Sequence, residues 1–541
     1  MNYSALFRVT LPETALEVAA LLVLVVDLGF LRKAALKVRV AVAALLGVAG
    51  CAAAFWALVR FTVMGLRFSE SGQQFIFTGN RITEVGEQLL RGVLGYTGLA
   101  QSGILVLTAL TLLLLIDSTF TQHVGEYVAV LLMASVGGLL IAAAQDLLVI
   151  FIGLELLSLG LYILTAFAKS SGKSAEAALK YYLFGGMSAA FLLFGFSYFY
   201  GLTGSTNLHE IQHAIAQSGA SPLLYVAWIL VVAGLGFKVA AVPFHLWAPD
   251  TYEGAPAPAA AFIASVSKVA SFALLISIGS VSLHFLEILQ LKDVVVVTAF
   301  VHQAGTPLPP SPVLHGFRSA WPLILIVLSA ASMIFGNLAA LAQSSVRRLL
   351  AYSAIAHAGY ILLGLAFFSW SNASAQAILY YIVTYGLTTI GAFGVVGVVE
   401  RATGSDKLDS FLGLQKRNPL LAAILLVLLL SLAGIPPLVG FWAKFNLFAT
   451  VLGKGFKLPL SSMQSEALAL VALAIAFSAV SLYYYLQVLK RAYVMPAADD
   501  SSIEVHPLTL AVLLLIAAAV VMMGCFPALL QNWIAGFYAG M

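Results

Sequence analysis

Charged residues are scarce in this 541-residue chain. They form 9% of it, whereas hydrophobic residues form 61%. A soluble globular domain carries about a quarter charged residues, so this composition excludes that class of protein. The formal net charge is +4 and the basic residues are spread over several loops, so nothing in the sequence favours nucleic-acid binding.

Cysteines and cofactor motifs are scarce as well. The two cysteines, Cys51 and Cys525, both lie in apolar segments. They predict neither a disulfide framework nor a metal or iron–sulfur site, because such sites need clustered ligands. The chain has no glycine-rich dinucleotide motif and no phosphate-binding loop. His245 and His357 lie at plausible depths for haem ligands but lack a supporting pair, so we expect no cofactor in this chain.

Long apolar runs, by contrast, are abundant. Repeated stretches of about 20 residues are typical of a polytopic α-helical membrane protein, and the alternating segments of a β-barrel are missing. We therefore predict an all-α fold with about fourteen transmembrane helices. These predicted spans 1 to 14 cover about 11–30, 38–60, 90–116, 126–144, 146–168, 179–201, 222–245, 257–286, 319–342, 348–369, 375–399, 419–450, 466–490 and 507–530.

Basic residues orient these spans. They are more numerous in the loops that lie inside when the N-terminus is placed outside, as expected for cytoplasmic loops. With an even number of spans, both termini then lie outside. Two connectors are long, at 60–91 and 290–320, and the second contains "GTPLPPSP", which is typical of an extended surface loop.

Five ionisable side chains lie deep within predicted spans, where a charge costs about 3 kcal/mol on insertion scales. They are Glu155, Lys238, Lys268, His357 and Lys444. An ionisable residue at such depth indicates a functional site.

Two of these lysines lie near prolines. Pro243 follows Lys238 in span 7, and a Pro-Pro pair precedes Lys444 in span 12. Proline breaks a helix, and broken backbone at membrane depth persists only where it is buried in protein or lines a cavity that holds water. Two broken helices five spans apart predict an internal repeat of five helices, spans 4–8 and 9–13. In this register, Glu155 corresponds to His357.

The repeat divides the chain into five segments. We expect N-terminal helices 1–3 at 1–125, a first repeat at 126–290, an extended loop at 291–318, a second repeat at 319–491, and a C-terminal loop with helix 14 at 492–541.

The buried charges together predict a proton relay. Burial disfavours an ammonium, and a nearby carboxylate favours it. A Glu155–Lys238 pair could therefore act as a switch: when the pair separates, Lys238 releases its proton to Lys268. Lys444 in the second repeat would then be the exit group.

Structural alternatives remain open at this point. Glu155 could simply hold two helices together, and His357 could be a buried core histidine. Lys180 lies near the start of span 6 and could extend to the membrane interface. Asp250 and Glu253, in "APDTYEGAPAP", most simply form an inside loop, although a packing or gating role is possible.

Several stretches together resemble a known family. They are "FIGLELLSLGLYIL", "EAALKYYLFGGMSAAFLLFG", "GFKVAAVPFHLWAPDTYEGAPAPAAAFIASVSKVA", "RRLLAYSAIAHAGYILLG" and "SLAGIPPLVGFWAKF". This combination resembles the antiporter-like subunits of respiratory complex I, the NADH–quinone oxidoreductase, and is most similar to its N-type members. The resemblance covers about residues 90–530.

The resemblance implies two inverted five-helix repeats with broken helices 7 and 12, and a role in pumping protons. It implies relay positions at Glu155, Lys180, Lys238, Lys268 and Lys444. The lysine at 444 matches the N type, since a glutamate there would point to the M type.

The resemblance also implies the setting of the chain. FMN, iron–sulfur clusters and quinone are expected in partner subunits, and the expected partners are the antiporter-like subunit M, small subunits such as K, and the lipid bilayer. The expected location is the bacterial inner membrane, with both termini on the periplasmic side. A subunit of a multisubunit cation/proton antiporter, which shares the fold, is the alternative. A scaffold subunit whose charges only stabilise assembly is a third possibility.

Overall fold

The computed structural model describes residues 10–70, 96–117, 123–218, 221–279, 312–367, 372–455, 461–497 and 501–538, and these residues are almost entirely helical. Within those ranges we find no β-strand, only the isolated bridges Asp146–Asn207 and Ser345–Lys407. The helices are α1 Leu11–Val25, α2 Leu36–Glu70, α3 Tyr96–Leu114, α4 Val124–Ala143, α5 Leu147–Thr165, α6 Gly172–Thr203, α7 Leu208–Ser218, α8 Pro222–Val239, α9 Trp247–Gly254 and α10 Ala257–Gly279. They continue with α11 Pro312–Leu341, α12 Val346–Ala366, α13 Asn372–Thr403, α14 Leu414–Arg417, α15 Pro419–Ala433, α16 Val439–Gly455, α17 Ser461–Tyr493, α18 Pro507–Cys525 and α19 Pro527–Tyr538.

The helices confirm the membrane-spanning class. Twelve of those in the described ranges are long and apolar enough to cross a membrane. Two predicted spans remain: the first is α1 with the π-helical turn Val26–Phe30 after it, and the twelfth is the pair of shorter apolar helices α15 and α16.

The structure changes the limits of two predicted connectors. Helix α2 continues to Glu70, about ten residues past the predicted end of span 2, and residues 71–95 lie outside the described ranges. Helix α11 begins at Pro312, so the last part of the predicted extended loop 291–318 is helical. Its first part, 291–311, lies outside the described ranges.

Close glycine contacts reveal the internal repeat. In the first half, a Cβ on Gly137 of α4 would lie 2.5 Å from the backbone nitrogen of Leu157 on α5. In the second half, a Cβ on Gly336 of α11 would lie 2.6 Å from the backbone nitrogen of Ala356 on α12. Only glycine permits such an approach of two backbones, so the helix pairs α4–α5 and α11–α12 pack in the same way. Because equivalent helices are five spans apart, the two repeats are inverted in the membrane.

The bridges fix the register of the repeats. Asp146 caps the start of α5 beside Asn207, and Ser345 caps the start of α12 beside Lys407. Aligning the two caps places Glu155 opposite Ala354. The predicted correspondence of Glu155 with His357 is therefore wrong by about one helical turn.

Each repeat contains one helix that stops within the membrane. Helix α8 ends at Val239, followed by Ala240 with φ 58°, and α15 ends at Ala433, followed by Gly434 with φ 87°. The left-handed residue terminates the helix in both cases. In chain order, Lys238 lies just before its break and Lys444 lies after its break.

Candidate functional site

Three lysine ammonium groups lie in the interior of the helix bundle. Lys238 is 7% exposed, Lys268 is 1% exposed and Lys444 is 6% exposed. An ammonium without partners is very costly in such a place. Each of the three is held by oxygen atoms, which makes its burial tolerable.

Lys238 binds a hydroxyl on α5. Its Nζ donates to Ser158 Oγ at 2.5 Å, and the Ser158 hydroxyl donates to the carbonyl of Leu154 at 2.5 Å. Glu155 is half-buried one turn before Ser158 and within electrostatic range of Lys238. Both are described residues, yet they form no ion pair within 4.0 Å. The direct partner of Lys238 is thus Ser158, which the sequence reasoning missed although it lies on the same face of the helix as Glu155.

Lys268 joins the two repeats at the first break. Its Nζ donates to the carbonyl of Val239 at 3.1 Å and to the carbonyl of Ala354 at 2.8 Å. Val239 is the last residue of α8, where carbonyl groups lack partners within the helix and the helix dipole favours a positive charge. Lys268 therefore stabilises the end of a broken helix and contacts α12 of the other repeat.

Lys444 caps the end of the broken helix at the second break. Its Nζ donates to the carbonyl of Ala433 at 2.9 Å and to Ser478 Oγ at 2.7 Å. Ala433 is the last residue of α15, as Val239 is of α8. A lysine ammonium thus caps each broken helix, but the first is supplied by α10 and the second by α16.

His357 lies between the last two lysines. The ammonium groups of Lys444 and Lys268 are both within electrostatic range of its ring. Its Nδ1 is 2.8 Å from Tyr381 Oη, and its Nε2 is buried without a hydrogen-bond partner. The ring borders a cavity of about 10 Å³ that Thr384 and Ser431 also line. A cavity of that size has room for about one water molecule beside the ring.

Lys180 has a different setting from the buried lysines. It is 41% exposed at the side chain and forms ion pairs with Asp250 of α9 at 2.8 Å and with Glu176 at 2.7 Å. Arg348 of α12 binds Asp250 at 2.6 Å and Glu253 at 2.9 Å. Helix α9 is thus held by cations of both repeats; a packing role for its acidic residues was left open by the sequence, but these partners were not predicted.

The carboxyl groups of α9 are charged at neutral pH. Burial raises the pKa of Asp250, but hydrogen bonds from Lys180 and Arg348 outweigh burial and bring the pKa below its usual range. Burial likewise raises the pKa of Glu253, but hydrogen bonds from Arg348 and Lys173 outweigh burial and bring the pKa below its usual range. The junction therefore carries full charges on both sides under physiological conditions.

A polar cavity of about 970 Å³ opens beside this junction, between the two repeats. Arg347 lines it and binds Glu400 at 3.2 Å and the carbonyl of Ala255. The cavity extends to Ala257 and Ala261 at the start of α10, the helix that carries Lys268 further along. The cavity therefore lies beside the start of α10.

Metal ligands do not cluster around the lysines. In the described part of the chain, no group of three or more His, Cys, Asp or Glu side chains could hold a metal ion. His245 packs its ring edge-on against Phe335 with the centroids 4.6 Å apart.

Comparison with known proteins identifies the family. The family model described as "NADH:quinone oxidoreductase/Mrp antiporter, TM" matches residues 144–303 and 308–461. NADH-quinone oxidoreductase subunit N 2 of Acidobacterium capsulatum is 47% identical over 548 residues, with 99% of each chain covered. NADH-quinone oxidoreductase subunit N 1 of Roseiflexus castenholzii is 38% identical, over 79% of this chain and 76% of that one.

Comparison with solved structures leads to the same family. A chain of respiratory complex I from Thermus thermophilus with bound aureothin is 30% identical and superposes with a TM-score of 0.70, covering 96% of this chain and 98% of that one. A chain of the Mrp complex from Dietzia is 19% identical with a TM-score of 0.69, covering 97% and 96%, and so shares the fold. The chain belongs to the NADH:quinone oxidoreductase/Mrp antiporter membrane family, among the relatives of NADH-quinone oxidoreductase subunit N.

Proposed function

We propose that this chain is a proton-translocating membrane subunit of an NADH–quinone oxidoreductase. The observation that carries the proposal is the set of buried ammonium groups at the two helix breaks, where Lys268 and Lys444 cap broken helices and Lys268 also contacts the other repeat. Ionisable side chains inside a membrane protein are costly to bury, and they commonly mark an ion or proton path. The chain would act as a subunit of a translocase and carry no redox chemistry itself.

The first repeat would load and release the proton. Glu155 is close enough to favour the ammonium form of Lys238, and Ser158 orients that ammonium. When the influence of Glu155 is removed, burial destabilises the ammonium and Lys238 gives up its proton. Lys268 lies next on the path because its Nζ binds the residue that follows Lys238 in the chain.

The second repeat would receive the proton. His357 lies within electrostatic range of both Lys268 and Lys444 and has a buried nitrogen facing no partner, so it can relay the proton between them. Lys444 is then the exit group. Lys180 belongs to the entrance: with Asp250 it sets the charge on the side where the large cavity opens.

The proposal includes the setting of the chain. FMN, iron–sulfur clusters and quinone would belong to partner subunits, and the antiporter-like subunit M and small subunits such as K would be its neighbours in a bacterial inner membrane. Both termini would lie on the periplasmic side. The two segments matched by the family model each contain one broken helix, which supports the proposed division into repeats at 126–290 and 319–491.

A multisubunit cation/proton antiporter is the second candidate, favoured by the shared fold of the Mrp chain. Purification of this chain through an affinity tag from its native membrane separates the two. The proposal predicts that NADH oxidation coupled to quinone reduction is recovered with the tagged chain. Recovery of sodium/proton exchange with no NADH oxidation would instead establish the antiporter.

A further inference from the structure

The short helix α7 presents two histidines on one exposed face. Leu208, Ile211 and Ile215 are buried against the bundle, whereas His209 and His213 are exposed. Residues four apart on a helix are neighbours on its surface. The two imidazole rings accordingly lie 4.4 Å apart between centroids, at an interplanar angle of 73°.

This pair has the residue pattern of a metal site. Residues 209–213 read His-Glu-Ile-Gln-His, and two histidines with this spacing on a helix can bind one metal ion from the same side. Neutral imidazole nitrogen is a good ligand for Zn²⁺, Cu²⁺ and Ni²⁺. The sequence analysis predicted no paired metal ligands in this chain, and the present proposal departs from that prediction.

The surroundings favour binding rather than catalysis. A metalloprotease that uses this pattern adds a third protein ligand and aims the glutamate at metal-bound water. Here Glu210 Oε2 instead accepts the Ser205 hydroxyl at 2.5 Å. Within the described ranges no third His, Cys, Asp or Glu completes a group of three. Water would have to supply the remaining ligands.

Helix α7 is also fastened to the first repeat. The backbone nitrogen of Leu208 donates to the carbonyl of Gln145, and that of Leu147 donates to the carbonyl of Thr206, both at 2.8 Å. Helix α7 thus connects α6 to α8, the helix that carries Lys238, and contacts the start of α5. An ion bound across His209 and His213 would hold α7 in its helical form at this junction.

We propose that His209 and His213 together chelate one divalent transition-metal ion, of the Zn²⁺, Cu²⁺ or Ni²⁺ class, at the surface of the bundle. The ion clamps successive turns of α7 and stabilises the connection between α6 and α8. The site is distinct from the buried lysines, and proton transfer in the absence of added metal does not depend on it.

Amide hydrogen exchange of residues 208–218 tests the proposal, measured on the assembled complex with and without added ZnCl₂. Ligand linkage predicts exchange up to about 100-fold slower at a zinc concentration of about 100 times Kd. His213→Gln and the double variant His209→Gln/His213→Gln should abolish the zinc effect. His123→Gln, at an exposed histidine paired with Glu126, is the matched control and should retain it.

Unchanged exchange in the natural chain at saturating zinc would overturn the proposal, as would an equal zinc effect in the double variant. The ratio of protons pumped per NADH without added zinc should be the same in His213→Gln as in the natural chain. That ratio separates failure of the metal site from failure of the proton relay.

Discussion

Two replacements of Lys268 distinguish the effect of its positive charge from the effect of its ability to exchange a proton. Lys268→Arg keeps a positive charge and hydrogen-bond donors, but an arginine stays protonated in proteins and cannot pass a proton on. Lys268→Gln keeps a donor for the two carbonyl groups and removes the charge. Both variants should assemble, and both should lose proton pumping.

The contacts of Lys268 indicate how much each replacement should destabilise the folded subunit. Truncation to alanine leaves the carbonyl of Val239 at the end of α8 without its partner, whereas Ala354 lies inside α12 and has an intrahelical partner. One buried acceptor without a donor costs about 1–3 kcal/mol. Lys268→Ala should therefore destabilise the subunit by about that amount, and Lys268→Gln by less.

Inverted membrane vesicles supply the assay: acidification of the lumen is recorded together with NADH oxidation, and assembly is verified on native gels. A relay through Lys268 predicts pumping reduced at least about tenfold in both the Arg and Gln variants, equivalent to about 1.4 kcal/mol or more in the barrier. If Lys268→Arg and Lys268→Gln both assemble and both pump as many protons per NADH as the natural chain, the reasoning is refuted.

Four further outcomes are expected. Ser158→Ala removes the hydroxyl that binds Lys238 and should slow pumping in the same vesicle assay, whereas Ser197→Ala, on an exposed site, should not. Tyr381→Phe removes the partner of His357 Nδ1 and should slow pumping with assembly intact on native gels. Lys180→Ala should have a milder effect on pumping than Lys238→Ala, since Lys180 is half exposed and Lys238 is buried. Asp250 has a lowered pKa, so its stabilising ion pairs are present above its ordinary pKa of 3.8 and are lost as pH falls below that value. Thermal unfolding followed against pH should show this loss in the natural chain, and Asp250→Asn should be less stable at neutral pH and lack that part of the pH dependence.

Much of the fold follows from local sequence. Apolar runs of about 20 residues predict spans because the bilayer requires that length, and Pro243 marks a broken helix because proline cannot continue one. The depth of Lys238, Lys268 and Lys444 was likewise predictable, because each lies in the middle of an apolar run.

The partners of these lysines were not predictable. Lys268 binds the carbonyl of Ala354, which is 86 residues away in sequence, and Arg348 binds Asp250, which is 98 residues away. Such contacts depend on how the repeats pack, and a backbone carbonyl carries no sequence pattern. The register of Glu155 against Ala354 was missed for a similar reason, since it depends on the helix caps at Asp146 and Ser345 rather than on the charged residues.

The most direct test of the relay compares two lysine-to-alanine variants in the assembled complex. Lys238 is buried against Ser158, whereas Lys416 is exposed in a loop helix and serves as the matched control. The measurement is the number of protons pumped per NADH oxidised in inverted vesicles. The account predicts that Lys238→Ala loses pumping and that Lys416→Ala retains it. An assembled Lys238→Ala complex that pumps the full number of protons per NADH would contradict the account.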